Sequence, residues 1–366
     1  MKQKYKSFTI FAFILLLALI AIPGVLGKTR RVYLTSFILE NEIEGVGFSN
    51  AIDNDNTVSF EATAYALNIL KNYGIDPHDI ETLKTNLEDD IEQLLNSIEV
   101  NIYDLFYLMK SLNIVDQDYE IDQSLENRIY KFVNDTGQIG GGFSYSNTSS
   151  SENLASTYYA LQLYSLIDEP IANMTLHKNW VLSCNNSDGG YGGNQSLSST
   201  LANTYYAISI LNELDSVNDL VNINNTLSYL QSHYVLDSAD LTNYGGYLPD
   251  EFAQFALLSS TYFCVKAVSL MDDTKLFKHS ITTWVLSRQN IIDGGFAENT
   301  GGYQQKASSV IACYYAFETL KTLDSLYSLN DEIWMVEFNY WILIIVLGSI
   351  GLGIVALVYL WRRRRI

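Results

Sequence analysis

Apolar residues recur along residues 32–323 in two alternating textures, one apolar nearly all round and the other apolar on a single face. The first texture marks segments that begin Thr157-Tyr158-Tyr159-Ala160-Leu161, Thr204-Tyr205-Tyr206-Ala207-Ile208, Thr261-Tyr262-Phe263-Cys264-Val265 and Cys313-Tyr314-Tyr315-Ala316-Phe317. An earlier version reads Thr63-Ala64-Tyr65-Ala66-Leu67. The second texture precedes these segments, over 32–42, 79–98, 121–133, 172–184, 217–234 and 276–288, with Glu, Asp, Lys and Asn on the face opposite the apolar one. A helix that is apolar all round is surrounded by other helices, whereas a one-sided helix borders water. The pattern therefore predicts helical hairpins, each with one outer and one inner helix.

The inner starts follow one another at intervals of roughly fifty residues, the sign of a repeat architecture. From Thr63 to Thr157 the interval is twice that, and the helically spaced apolar stretch 101–111 fills the gap. Six hairpins result, and six inner helices ringed by six outer ones form an all-α (α/α)6 toroid. A glycine pair with an aromatic residue lies between the two helices of most hairpins, as Gly141-Gly142-Phe143, Gly189-Gly190-Tyr191, Gly245-Gly246-Tyr247 and Gly294-Gly295-Phe296. A worn copy stands at Gly45-Val46-Gly47-Phe48. Glycine suits a sharp turn that needs positive φ, with the neighbouring ring tucked into the core.

The segment from Trp180 through Asp188-Gly189-Gly190-Tyr191 to Thr204-Tyr205-Tyr206, echoed from Trp284 to Phe296, resembles the repeat of protein prenyltransferase β-subunits and of squalene and other terpene cyclases. The resemblance spans 32–323 and implies the same α/α toroid. For the transferases it also implies a zinc ion held by an Asp, a Cys two residues later and a distant His, which activates a thiolate. No Asp-x-Cys occurs in the chain, and Ile311 stands at the aligned histidine position. The four histidines, His78, His177, His233 and His279, fall in outer helices or at their ends. No metal or other cofactor is expected. Terpene cyclases of this fold start from an acidic Asp-x-Asp-Asp cluster; Asp53-Asn54-Asp55-Asn56 lacks the last acid and sits where Asp and Asn cap a helix.

The ends of the chain change the setting. Lys2, Lys4 and Lys6 precede an apolar stretch 8–22 and a small-residue close at Gly27, the pattern of a secretory signal or signal anchor over 1–27. Residues 340–361 carry no charge, enough for about 33 Å of helix. Aromatic residues border the stretch and Arg362 to Arg365 follow it, which places a basic tail, 362–366, in the cytoplasm. The expected order is signal or anchor, toroid over 32–325, juxtamembrane segment 326–339 and a single membrane span, with the toroid extracytoplasmic at the cell membrane and the chain two-pass if the signal is retained. Sequons at Asn134, Asn147, Asn173, Asn185, Asn194 and Asn224 agree with an exported glycoprotein.

The formal charge is −19, but ten of the 22 basic residues flank the two apolar ends, so the remaining 12 face all 41 acidic residues, a net charge near −29. Such a surface repels phosphate backbones and excludes nucleic acid as a partner. Three cysteines, Cys184, Cys264 and Cys313, give no disulfide framework.

Two sets of residues remain as candidate chemistry. Loop carboxylates, Asp53, Asp55, Glu61, Glu152, Asp250 and Glu251, would serve glycan cleavage if two of them faced each other. The repeated tyrosines either fill the ring or line a cavity for an isoprenoid, another apolar small molecule, a glycan or a peptide. Neighbouring helix positions point about 100° apart, so one of each pair is expected at the axis: Tyr158, Tyr205, Tyr262 and Tyr314. A scaffold without the family's catalytic motifs reads first as a binding or interaction module. The alternatives are a divergent transferase or cyclase and an exported glycan-cleaving toroid.

Overall fold

The computed structural model describes residues 28–50, 57–116, 119, 121–290, 292–299, 308–333, 348 and 362–363. The apolar segments 8–22 and 340–361, Gly348 apart, lie outside the described residues, as do Asp53 and Asp55. Among the described residues no helix is long and apolar enough to cross a membrane. Residues Arg30–Asp331 form one compact unit. In the second unit, β1 (Lys28–Thr29) pairs antiparallel with β8 (Glu332–Ile333).

Helices of the two predicted kinds alternate along the main unit. The outer ones are α1 (Arg30–Glu40), α3 (Ile80–Leu95), α5 (Gln123–Thr136), α7 (Met174–Ser183), α9 (Ile223–Ser232) and α11 (Lys278–Ser287). The inner ones are α2 (Phe60–Asn72), α4 (Ile102–Val115), α6 (Leu154–Leu166), α8 (Leu201–Glu213), α10 (Leu258–Asp272) and α12 (Val310–Thr322). Each inner helix packs against the next and α12 packs back on α2, which closes the ring. The stretch 217–234, expected as one helix, divides into a 3-10 turn at Val217–Asp219 and α9. The turn ends at Leu220, whose ψ of 134° leaves helical geometry, and Asn222 starts α9 afresh, its side chain accepting from the Asn225 N–H.

Within a hairpin, the Thr of the repeated phrase ties the loop to the inner helix. The buried N–H of the loop aromatic donates to that hydroxyl in four repeats: Phe48 to Thr63, Phe143 to Thr157, Tyr191 to Thr204 and Tyr247 to Thr261, at 2.9, 2.9, 3.0 and 3.1 Å. In the last repeat Cys313 takes the place, its Sγ accepting from the Phe296 N–H at 3.2 Å. Three of these loops fold as short hairpins: β2 (Glu42–Ile43) with β3 (Gly47–Phe48), β4 (Phe143–Ser144) with β5 (Glu152–Asn153), and β6 (Tyr191–Gly192) with β7 (Ser199–Thr200).

Two further contacts join one repeat to the next. The first N–H of an inner helix donates to the carbonyl two residues past the next loop's aromatic, as in Ile102 to Tyr145, Leu154 to Gly193 and Leu258 to Glu298. Val310 donates to Asn50 in the same way, so this bond of the last repeat returns to the first. The glycine pair supplies the other contact. At Gly245, φ is +96° and a Cβ would lie 2.3 Å from the Ser280 carbonyl oxygen of the next outer helix, α11. Gly246 has no positive φ, but its Cβ would lie 2.6 Å from Cε2 of Trp284, one turn further along α11. Trp180, Tyr229 and Phe37 cover Gly142, Gly190 and Gly295 in the same manner. The second glycine thus serves inter-repeat packing, a role that turn chemistry alone did not predict.

Arg30, read in the sequence as a charge flanking the first apolar segment, belongs to this ring. Its guanidinium donates to the Leu286 carbonyl at 2.9 Å and to Gln289 Oε1 at 3.1 Å, pinning α1 to the end of α11.

Candidate functional site

Because the inner helices start in register, corresponding positions meet on the axis. The fifth and sixth positions hold Ala64-Tyr65, Phe106-Tyr107, Tyr158-Tyr159, Tyr205-Tyr206, Tyr262-Phe263 and Tyr314-Tyr315, so aromatic rings occupy every place but Ala64. Both members of the tyrosine pairs line the central space, which corrects the expectation of one per pair. The side chains are long enough to converge from two neighbouring directions, and they form two tiers. Tyr158, Tyr205 and Tyr262 link hydroxyl to hydroxyl at 3.5 Å in one tier. In the other, the Tyr107 hydroxyl is a hub, 2.8 Å from that of Tyr159, 3.1 Å from that of Tyr65, and donating to Glu61 Oε1 at 3.0 Å. Rings of neighbouring helices also stack, Tyr65 flat on Tyr314 with centroids 3.7 Å apart and Tyr262 on Tyr315 at 5.0 Å.

The rings leave a central cavity of about 50 Å³. A drug-sized ligand needs roughly 300 to 1,000 Å³, and a water takes about 30 Å³ of liquid. The axis therefore has room for a water or two. Tyr158, Tyr205, Tyr262 and Tyr314 all border this space, where each also touches a neighbouring ring.

Two charged groups sit against the rings. Glu61, grouped by sequence with the loop carboxylates, lies in the first turn of α2; burial raises its carboxyl above the usual range, and the hydroxyls of Tyr107 and Tyr65 partly offset the rise. Lys110 of α4 stands over the rings of Tyr65, Phe106 and Tyr314 at 5.4 to 5.5 Å. Burial pulls its ammonium down to about 8, against the pull of Glu318 and with the repulsion of Lys266. Glu318 of α12, itself buried, takes Lys266 at 3.2 Å and Lys321 at 3.6 Å. Burial also raises the phenols of Tyr65, Tyr158, Tyr159, Tyr262 and Tyr314, so near neutral pH they are protonated hydrogen-bonding groups. Sequence reasoning missed Lys110, although a single lysine inside the apolar stretch 101–111 was the available signal.

The other sequence candidates lie elsewhere. Asp250 and Glu251 are exposed, Asp250 Oδ1 accepting from the Phe252 N–H at 2.8 Å to shape a turn, and Glu152 lies in β5. His78 is exposed beside Glu42, His177 is buried against Phe143, and His233 bonds the Leu248 carbonyl. All three cysteines are buried, with burial pushing the Cys184 thiol up to about 12. Among the described residues no three His, Cys, Asp or Glu side chains are grouped to hold a metal. Of the sequon asparagines, Asn134, Asn147, Asn173 and Asn224 are exposed, whereas Asn194 and Asn185 are half-buried, and Asn185 bonds the Gly190 carbonyl.

Comparison with known proteins agrees with this architecture. The model of the prenyltransferase alpha-alpha toroid domain matches residues 78–178, 172–241 and 241–339. Among solved structures, Candida albicans protein geranylgeranyltransferase-I complexed with GGPP is 16% identical, with a TM-score of 0.59 over 77% of this chain and 90% of that one. A variant of the type II terpene cyclase MstE from Scytonema, in complex with geranylgeranyl dihydroxybenzoate, is 10% identical, with a TM-score of 0.53 over 82% and 97%. A protein from Actinoplanes is 11% identical, with a TM-score of 0.54 over 81% and 98%. These likenesses establish the fold alone. No curated protein matches the sequence.

Proposed function

Since this chain belongs to the prenyltransferase α/α-toroid family and yet fills its axis with phenols, we propose that it acts as an interaction module whose ring is a scaffold and whose contacts are made from its surface. The observation that carries the reading is the central cavity of about 50 Å³, several-fold too small for a geranylgeranyl chain without displacing interlocked tyrosines. The missing Asp-x-Cys and the isoleucine at position 311 point the same way.

The module is held at the cell membrane by the uncharged stretch 340–361, with Arg362 to Arg365 on the cytoplasmic side and the toroid outside. Asn134, Asn147, Asn173 and Asn224, all exposed, are then its accessible glycan acceptors. Protease added to intact cells removes the toroid under this topology; survival of the toroid while known surface proteins are digested refutes it.

The axial reading is tested with GGPP, the ligand named for the geranylgeranyltransferase. Added in excess to the full chain in detergent, it is expected to leave the melting temperature unchanged, because only a ligand bound by the native state raises it. A concentration-dependent rise that disappears in Tyr205→Ala would overturn the proposal and restore an isoprenoid site at the ring centre.

A further inference from the structure

The connection from α9 to α10, Ser232 to Leu258, is longer than its counterpart from α7 to α8, Ser183 to Leu201, and the added length displays apolar side chains. Leu241 is 89% exposed and Phe252 84%, with Leu236, Tyr244 and Phe255 also exposed. The loop is nevertheless fixed. Buried Asn243 donates through Nδ2 to the Gln254 carbonyl at 3.0 Å and to Asp240 at 2.8 Å, and its Oδ1 accepts from the Ala256 N–H at 2.9 Å. Trp284 Nε1 donates to the Thr242 carbonyl at 3.0 Å, and Val235 and Gly246 are bonded across the base. A braced loop that holds Phe and Leu in water marks a contact surface, and its rigidity lowers the ordering cost of binding.

The charge on the loop selects the partner. Residues 235–256 include Asp237, Asp240, Asp250 and Glu251 and no Lys or Arg. Anionic lipid is repelled by such a surface, while a basic one is attracted. We propose that this fifth-repeat loop is the docking surface for a basic, amphipathic polypeptide segment of a partner protein, with Leu241 and Phe252 as apolar anchors and the surrounding carboxylates facing Lys or Arg. The proposal rests on reading the toroid as an interaction module.

The test uses the full chain in phosphatidylcholine nanodiscs, with empty discs subtracted. Its probes are an 18-residue helical Leu/Lys peptide, the matching Leu/Glu peptide, and vesicles containing phosphatidylserine. Wild type is expected to bind the Leu/Lys peptide and not the Leu/Glu one. Leu241→Ser/Phe252→Ser should weaken binding about tenfold, as loss of interface anchors does, and Glu251→Lys about threefold with a shallower salt dependence. Leu241, Glu251 and Phe252 are all exposed, so these variants should melt with the wild type; Asn243→Ala is omitted because it would unbrace the loop. Equal binding of the Leu/Lys peptide by wild type and the double variant overturns the proposal, as does equal binding of both peptides or capture by the anionic vesicles. Those outcomes leave the GGPP result standing, so failure of the docking surface and failure of the axial reading are told apart.

Discussion

Replacing Gly295 with Ala tests whether the glycine pairs are packing joints. Gly295 lies in the loop before α12 and receives Phe37 of α1, so the substitution acts on the contact that closes the ring. A Cβ built there lies 2.8 Å from three atoms of the Phe37 ring, which is 1% exposed and has no free side to retreat to. Overpacking of this kind costs about 1–3 kcal/mol, while Ala gains about 0.4–1 kcal/mol by stiffening the unfolded chain. The net expectation is a loss of about 1–2 kcal/mol, measured by chemical denaturation of the full chain in detergent. Gly74→Ala serves as reference: φ is +64° there, nothing lies within 4 Å, and the cost is backbone strain of about 1–2 kcal/mol. Magnitude alone does not separate the two, so the decision rests on coupling to Phe37→Leu. The Gly295 pair should depart from additivity by about 0.5–3 kcal/mol, because the smaller side chain makes room for the methyl, whereas the Gly74 pair should add within about 0.5 kcal/mol. Amides of α1 should also exchange faster in Gly295→Ala than those of α8. Additivity at Gly295, or a gain in stability there, would refute the packing role of the second glycine.

Three further outcomes follow from the geometry. Thr204→Val leaves the buried Tyr191 N–H without its acceptor and should cost about 1–3 kcal/mol in chemical denaturation, whereas Cys313→Thr replaces a weak sulfur acceptor and should gain up to about 1 kcal/mol. Glu61 has a folded pKa above its unfolded value, so the native state holds the extra proton and wild-type stability falls as pH rises through that interval; Glu61→Gln, which keeps an acceptor for Tyr107, should melt higher than wild type at pH 7, and the difference should vanish below about pH 4.5. Lys110 runs the other way: between about 8 and 10.5 the unfolded state holds the proton and the folded state does not, so stability rises with pH. Lys110→Met should be the more stable protein at pH 7, with its advantage shrinking across that range; a constant difference would place the ammonium outside the aromatic cage.

The ring was legible in the sequence because each hairpin repeats the same burial problem. The inner helices of the third, fourth, fifth and sixth hairpins announce themselves by Thr or Cys followed by an aromatic residue, the first by Thr63 with Tyr65 after Ala64, and the second, with Leu105 at the Thr position, still carries apolar helical spacing. Caps and breaks inside outer segments were not legible: the 3-10 turn closes at Leu220 and Asn222 starts α9 within a stretch whose periodicity continues through both. At the axis, composition named the tyrosines but not their arrangement. A 100° step between neighbours describes backbone directions, and the phenol arms are long enough to cancel it, so Tyr158 and Tyr159 both reach the centre. Lys110 and Glu318 escaped because their meaning depends on helices far apart in the chain, which a local reading does not bring together.

The Arg30 N–H donates to the Asp331 carbonyl at 3.0 Å, so the first and last residues of the ring unit touch. A force that draws the two ends apart therefore falls on one place, the seam of α1 with the loop of the last hairpin, and loads it as a zip is loaded. The Arg30, Val310 and Gly295 contacts then give way in succession while the other joints bear nothing, and hairpins peel off singly, each protected only by its neighbour. Grips placed on α2 and α8, at different stations of the ring, would strain several joints together. The same protein should yield at low force in the first geometry and at high force in the second.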